Sequence, residues 1–338
     1  MPSTTHQKTS GFHHRIGARL ALTAAAFAIV TLAACGPTVQ VTGSFDKTFA
    51  VNGPVRLELT TGSGDAHITT GAADSVVIHG QIHAGGWALE GAQRDVRQAQ
   101  ANPPVSQEGN LIRVGAGGRH ESGVDIDYTI EVPPGTELHS SSGSGDVSVN
   151  GIQGPANFTS GSGGVSASQI AGDAQATTGS GDIHFANIQG QATITAGSGD
   201  VEARYITGET RIHTGSGDVQ VTQPTALLTV QTGSGDIRVS GASGDLHLNS
   251  SSGDTTVEGN PSQSHFWDIH STSGEIVLNV SASGNFRLYA HSSSGDIDAQ
   301  IPVTMDGATT SKHELRARIG DGSARIEAST ASGNISLR

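Results

Sequence analysis

Cysteine, aromatic residues and charge are all scarce in this 338-residue chain, and each shortage closes off a class of protein. The single cysteine, Cys35, excludes an internal disulfide framework and any zinc site built from several cysteines. Aromatics make up 4% of residues, which leaves few large side chains to fill a broad globular core. Proline totals 11 and glycine does not recur at every third position, so the chain is not collagen. Charged residues are only 14%, and Val and Ile recur in short alternating strings, unlike the composition of a disordered chain. Lys and Arg together number 18 against 31 acids, a formal charge of −13. An acidic chain with no run of Lys or Arg repels a phosphate backbone, so nucleic acid is not an expected partner.

Long apolar runs are also missing, with one exception at Leu20 to Ala34. Lys8, Arg15 and Arg19 precede it, and no acid falls before Cys35. The run is shorter than the roughly 20 residues of a membrane-spanning helix and fits the apolar region of a secretory signal peptide, residues 1–34. It ends in Leu32-Ala33-Ala34-Cys35, followed by Gly36, which resembles the lipobox of bacterial lipoproteins. The resemblance implies that Cys35 becomes the lipid-bearing first residue, that 35–44 is a lipidated linker, and that a membrane is a partner through this anchor. Gly36 is not the Asp of an inner-membrane retention signal, which points to the outer membrane in a Gram-negative host. Removing 1–34 leaves 15 basic and 31 acidic residues, a formal charge of −16.

Glycine is what the chain has in excess, with 47 residues. Much of it belongs to a recurring Gly-Ser-Gly-Asp string, whose acids are Asp146, Asp182, Asp200, Asp218, Asp236 and Asp254. Their spacing is 18 residues, with Gly164 standing where one further Asp would fall. Glu275 and Asp296 follow after 21 residues each, and Ser332-Gly333-Asn334 ends the series 38 further on. An isolated copy, Gly62-Ser63-Gly64-Asp65, lies far upstream. Self-similarity at a fixed period of this length predicts a solenoid.

Counting Asp as position 1, apolar residues hold positions 2 and 4 (Val147/Val149, Ile183/Phe185, Val219/Val221). Position 7 is Ile in four successive units, and positions 11 and 13 are again apolar (Ala192/Ile194, Leu246/Leu248). This alternation predicts two short strands per unit, each with one buried face. The fold expected is an all-β parallel β-solenoid, or β-helix, with coils of about 18 residues and identical positions stacked in ladders. The turn glycines Gly161, Gly163, Gly179, Gly181, Gly197, Gly199, Gly215, Gly217, Gly233 and Gly235 are expected to supply the backbone freedom for a tight turn. Trp267, Ile269, Leu288 and Ala290 fall on inward sites of the longer units. The solenoid is expected over 141–338, with the last strand, Asn334 to Leu337, poorly covered.

Residues 45–140 read as an irregular β-rich part. Arg56-Leu57-Glu58-Leu59, Val76 to Ile82 and Val124 to Val132 alternate as strands, whereas the stretch after Trp87 favours a short helix near 88–101. Asn102-Pro103-Pro104 ends that helix. These strings, with Gly109-Asn110-Leu111-Ile112-Arg113-Val114, Asp127-Tyr128-Thr129-Ile130-Glu131-Val132-Pro133-Pro134-Gly135 and the serial Ser-Gly-Ser-Gly-Asp turns, resemble the bacterial putative-adhesin family, over roughly Val41 to Arg338. The resemblance implies a solenoid in the cell envelope and carries over no catalytic residue and no cofactor.

Candidate chemistry centres on the acids. Stacking sets Asp182, Asp200, Asp218, Asp236 and Asp254 in a column about 4.8 Å apart, where like charges need solvent, hydrogen bonds or cations between them. A calcium ladder is one outcome; carboxylates accepting hydrogen bonds from backbone N–H groups are the favoured one. The nonapeptide calcium pattern fails because the second half-unit carries Pro155, Asp173, Gln191, Glu209, Leu227 and Asp245, with no regular acid. Histidines such as His79, His83, His184, His213 and His247 show no metal-binding spacing with a third ligand. Thr159, Thr177 and Thr195 form a short outward ladder. Arg204, Arg211, Arg238 and Arg287 look scattered, which argues against a polysaccharide-cleaving cluster. The reading is a non-enzymatic envelope module that binds a glycan or envelope protein or serves as a scaffold. A polysaccharide-active enzyme and self-assembly through the solenoid ends are the alternatives.

Overall fold

The computed structural model describes residues 39–86, 88–115, 124–261, 264–305 and 311–338. Residues 1–34, where a signal peptide is expected, Cys35 and Trp87 lie outside the described residues. Among the described residues the chain forms a 14-stranded and a 15-stranded sheet and one helix. Each 18-residue unit contributes one strand to each sheet. Ala156, Ala174, Ala192, Thr210, Leu228 and Leu246 pair laterally in one sheet. Val147, Val165, Ile183, Val201, Val219 and Ile237 do so in the other. All of these pairings are parallel, so the sequence repeat becomes a β-solenoid in which like residues stack. Twelve strands run parallel in succession in each sheet, a stack of roughly 50 Å at ~4.8 Å per step.

The core is one continuous apolar cluster between the two sheets. Large residues stack on small ones, as in Phe158 on Ala176 and Ala167 on Phe185. Phe158 and Phe185 then meet edge to face across the core, with centroids 6.3 Å apart. Trp267 is fully buried and its indole N–H donates to the Gly244 carbonyl at 2.9 Å. Ile152, Ile170, Ile188 and Ile206, at position 7, also point inward. Alternation from positions 2 and 4 would turn position 7 outward. A left-handed residue at position 6 reverses the parity: Gly151, Gln169, Asn187, Tyr205, Gln223 and Gly241 all have φ between 53° and 89°.

The turn glycines have another reason for being glycine than the one expected. Those at positions 16 and 18 are not in the left-handed region. They are needed because successive turns lie almost on top of one another. A Cβ built on Gly217 would sit 1.9 Å from the Gly199 carbonyl oxygen, and one on Gly215 would sit 2.4 Å from that of Gly197. In four of the turns the residue at position 15 is a buried Ser or Thr whose hydroxyl completes the turn. Thr178, Thr214, Thr232 and Ser250 accept the N–H of Gly181, Gly217, Gly235 and Gly253 at 2.9–3.1 Å.

Both ends depart from the expected boundaries. The solenoid starts well before residue 141, because the upstream copy of the turn is its neighbouring rung. Strands Arg56–Thr61 and Ala66–Thr70 flank that turn and pair in parallel with Glu137–Ser142 and Val147–Asn150. Beyond this rung Val39–Ala50, Ser75–Gly86 and Val124–Val132 build a cap in which neighbouring strands run antiparallel. The helix Leu89–Ala101 lies on this cap and buries Ala92, Val96 and Ala99. Gly43 permits the contact, since a Cβ there would fall 2.4 Å from Val96 Cγ1.

At the other end, the last coil is not last in space. Strand Ile335–Leu337 lies between Ile276–Asn279 and Ile297–Ala299, paired in parallel with both. Strand Ala324–Thr330 likewise enters between Phe266–Ser271 and Phe286–Ser292. The final strand is therefore covered on both sides, contrary to expectation, with Ile335 and Leu337 each 1% exposed. Glu314–Ile319 and Thr304–Met305 add antiparallel strands outside Phe286–Ser292.

Candidate functional site

Asp182, Asp200, Asp218, Asp236 and Asp254 stand in one column along an edge of the stack. Each carboxylate is engaged by the rung above it. Asp182 Oδ1 accepts the backbone N–H of Asp200 at 2.9 Å, Asp200 that of Asp218 at 2.9 Å, and Asp218 that of Asp236 at 2.9 Å. Asp236 accepts from Asp254 at 3.0 Å and Asp254 from Glu275 at 2.8 Å. The upstream copy joins the same column, since Asp65 accepts from Asp146 and Asp127 from Asp65. Gly164 interrupts it: its own N–H donates to Asp146, but it offers no side-chain acceptor to Asp182. These charge-assisted bonds offset the repulsion of like charges stacked this closely. Arg238 adds a countercharge, 2.7 Å from Asp236 and 3.7 Å from Asp218.

Several of the histidines pair singly with acids. His79 is 2.8 Å from Asp46, His83 3.1 Å from Asp127, His184 3.1 Å from Glu202 and His247 3.8 Å from Asp268. Among the described residues no three His, Cys, Asp or Glu side chains converge as a metal site. The Thr ladder stacks in register, Thr159 beside Thr177 beside Thr195, and passes to His213.

The arginines divide into two kinds. Arg204, Arg211 and Arg238 each lie against an acid two positions earlier, namely Glu202, Glu209 and Asp236. Arg287 is not scattered as expected. It sits directly beside Arg318 on one side and Arg325 on the other, in three adjacent strands of the 15-stranded sheet. Phe266 continues this row beyond Arg325. In the parallel row two residues along lie Arg316, Tyr289 and Glu327. All of these except Arg318 line a groove of about 850 Å³ on the outward face, and Arg318 stands beside it, paired with Arg287.

Within the groove, Arg316 lies 5.1 Å from the Tyr289 ring centroid and 2.8 Å from Glu314. Arg325 lies 5.5 Å from the Phe266 centroid and pairs with Glu327. Arg287 and Arg318 have no acid within ion-pair distance among the described residues. Their stems cross the Gly320–Gly322 turn, where a Cβ on Gly322 would meet Arg287 Cγ at 2.9 Å and Arg318 Cδ at 3.1 Å. At the rim, the Phe266 N–H donates to Asp245 at 2.7 Å and, with His265, holds that carboxyl below its usual range. This cluster escapes a reading of the sequence because its arginines alone are up to 38 residues apart. The antiparallel return of Glu314–Ile319 sets Arg318 beside Arg287, and the out-of-order coil sets Phe266 beside Arg325.

A family model described as Toastrack DUF4097 matches residues 129–338. The chain belongs to this family. The Toastrack match begins inside strand Val124–Val132 and takes in every coil from Glu137–Ser142 onward, including the arginine groove. It leaves out the upstream rung at 56–70 and the helix, which in this chain extend the Toastrack stack at its N-terminal end. Among solved structures the chain is similar to a putative cell adhesion protein from Clostridium sporogenes, at 12% identity and a TM-score of 0.22, over 88% of this chain and 99% of that one. No curated protein matches the chain.

Proposed function

We propose that this Toastrack protein is a lipid-anchored, non-enzymatic module of the cell envelope, held to the outer membrane in a Gram-negative host, that works by adhesin-like binding of a glycan or envelope protein. The observation that carries this reading is the shape of the polar surface. Over twelve rungs each sheet turns a mostly polar face outward, rich in Ser, Thr, Asn, Gln, His, Glu and Arg with a few apolar residues such as Val277 and Tyr289, a surface suited to extended, multivalent contact. The acids of the Gly-Ser-Gly-Asp turns support the same reading, because their carboxylates bind backbone N–H groups of neighbouring rungs.

The anchor rests on Cys35 and the basic and apolar segment before it. Several acyl chains hold a protein at a membrane far more firmly than one. Cys35→Ser is expected to move the protein from the membrane fraction to the soluble fraction; retention in the membrane would refute the anchor. For the binding role, full-length protein in detergent is offered to a panel of glycans and envelope proteins. Saturable capture without any cleavage of the captured glycan is the expected result. Release of shortened glycan chains would replace the binder by a polysaccharide-active enzyme.

A further inference from the structure

We propose that the arginine groove at the C-terminal end of the 15-stranded sheet is a binding site for an acidic polysaccharide. The proposal rests on the reading of the chain as a binding module and names the ligand class and the place. Three of the chain's 18 basic residues, Arg287, Arg316 and Arg325, line the groove and a fourth, Arg318, stands beside Arg287, in a chain with a formal charge of −13. The acids beside them, Glu314 and Glu327, answer Arg316 and Arg325. Arg287 and Arg318 face each other directly across antiparallel strands. Like charges in that arrangement destabilise a sheet, so two unneutralised guanidinium groups side by side carry a cost that an incoming anion relieves.

The geometry selects the kind of anion. Guanidinium forks match the two oxygens of a carboxylate, or those of a sulfate or phosphate. Arg318, Arg287 and Arg325 form a line across three strands, about 10 Å from first to last. A single small anion would occupy part of that line, whereas a polymer with an acidic group on successive sugars follows it. Phe266 and Tyr289, partly exposed beside the line, hold the Arg325 and Arg316 guanidinium groups over their rings and so fix two of the cations that the polymer meets. The surrounding acidic surface repels the denser charge of a nucleic acid.

The test uses full-length protein in detergent, with immobilised polygalacturonate as the acidic probe and dextran as the neutral one. Retention on polygalacturonate and not on dextran is expected, and added salt should weaken it. The double variant Arg287→Gln/Arg318→Gln should bind at least about tenfold more weakly, while Arg211→Gln/Arg238→Gln should stay within about twofold of the parent. If the double variant unfolds, the two single variants are compared in its place. Equal loss in both pairs, or none in the first, overturns the proposal. So does equal or stronger arginine-dependent binding to phosphatidylglycerol vesicles, which would assign the groove to a lipid surface. A parent that ignores polygalacturonate but captures a neutral glycan or envelope protein refutes this site alone; one that captures nothing refutes the binding module as well.

Discussion

Asp218 shows how a repeated residue can be structural without being buried. Its side chain is 57% exposed, yet its Oδ1 accepts the N–H that begins the next rung. Asn offers the same carbonyl-type acceptor without the charge. Asp218→Asn is therefore expected to change stability by less than about 0.5 kcal/mol, and Asp218→Ala to cost about 1 kcal/mol by removing the acceptor. Thermal unfolding of both, with and without chelator, checks this. A melting point that falls with chelator would show that the column holds calcium. Gly164 provides the reciprocal experiment. Its φ is not left-handed, and a Cβ there would come no closer than 3.4 Å to Asp146 Oδ1. Gly164→Asn supplies the missing acceptor for Asp182 and also lowers the entropy of the unfolded chain. A gain of about 1 kcal/mol is expected in urea unfolding; a loss would mean that the gap in the column is itself required.

At the scale of strands and coils, the 18-residue spacing dictates most of what is seen. Val147, Val165 and Ile183 are neighbours in the sheet because they are neighbours in the repeat. Parallel ladders keep that register, since a slip of one residue would turn every inward side chain outward. What was illegible has a common cause. The 38 residues between Asp296 and Asn334 look like two further units in sequence, but Glu314–Ile319 turns back antiparallel and the last coil enters between two earlier ones. Nothing in Ile335-Ser336-Leu337 marks it as an inserted strand rather than a terminal one. The arginine row is hidden for the same reason, because Arg318 meets Arg287 only through the antiparallel return and Phe266 meets Arg325 only through the inserted coil. The left-handed column was signalled by Gly151 and Gly241 and masked by Gln169, Asn187, Tyr205 and Gln223. Leu337 tests the insertion. Buried between two strands, it should cost about 2–5 kcal/mol when changed to Ala. A cost below about 1 kcal/mol would place it at an open end.

For the whole molecule, the question is what limits the stack. Open parallel edges invite further strands from another copy. Here the N-terminal edges belong to the antiparallel segments Val39–Ala50 and Val105–Glu108, and the C-terminal edges to Thr304–Met305 and the three-residue Ile297–Ala299. Three of these borders are only two to four residues long and present little template for continuation, which leaves Val39–Ala50 as the one long edge among the described residues. Sedimentation of the detergent-solubilised protein is expected to be independent of concentration; a rise in mass with concentration would favour a self-assembling scaffold. The inserted last coil also bears on how the protein meets force. A tether pulling on Arg338 would not peel an outermost strand away one hydrogen bond at a time. Arg338 donates its N–H to Leu278, its carbonyl accepts from Val280, and the Leu337 carbonyl accepts from Gln300. Load applied there is carried in shear against neighbours on both flanks, so rupture at this end requires many bonds to break together.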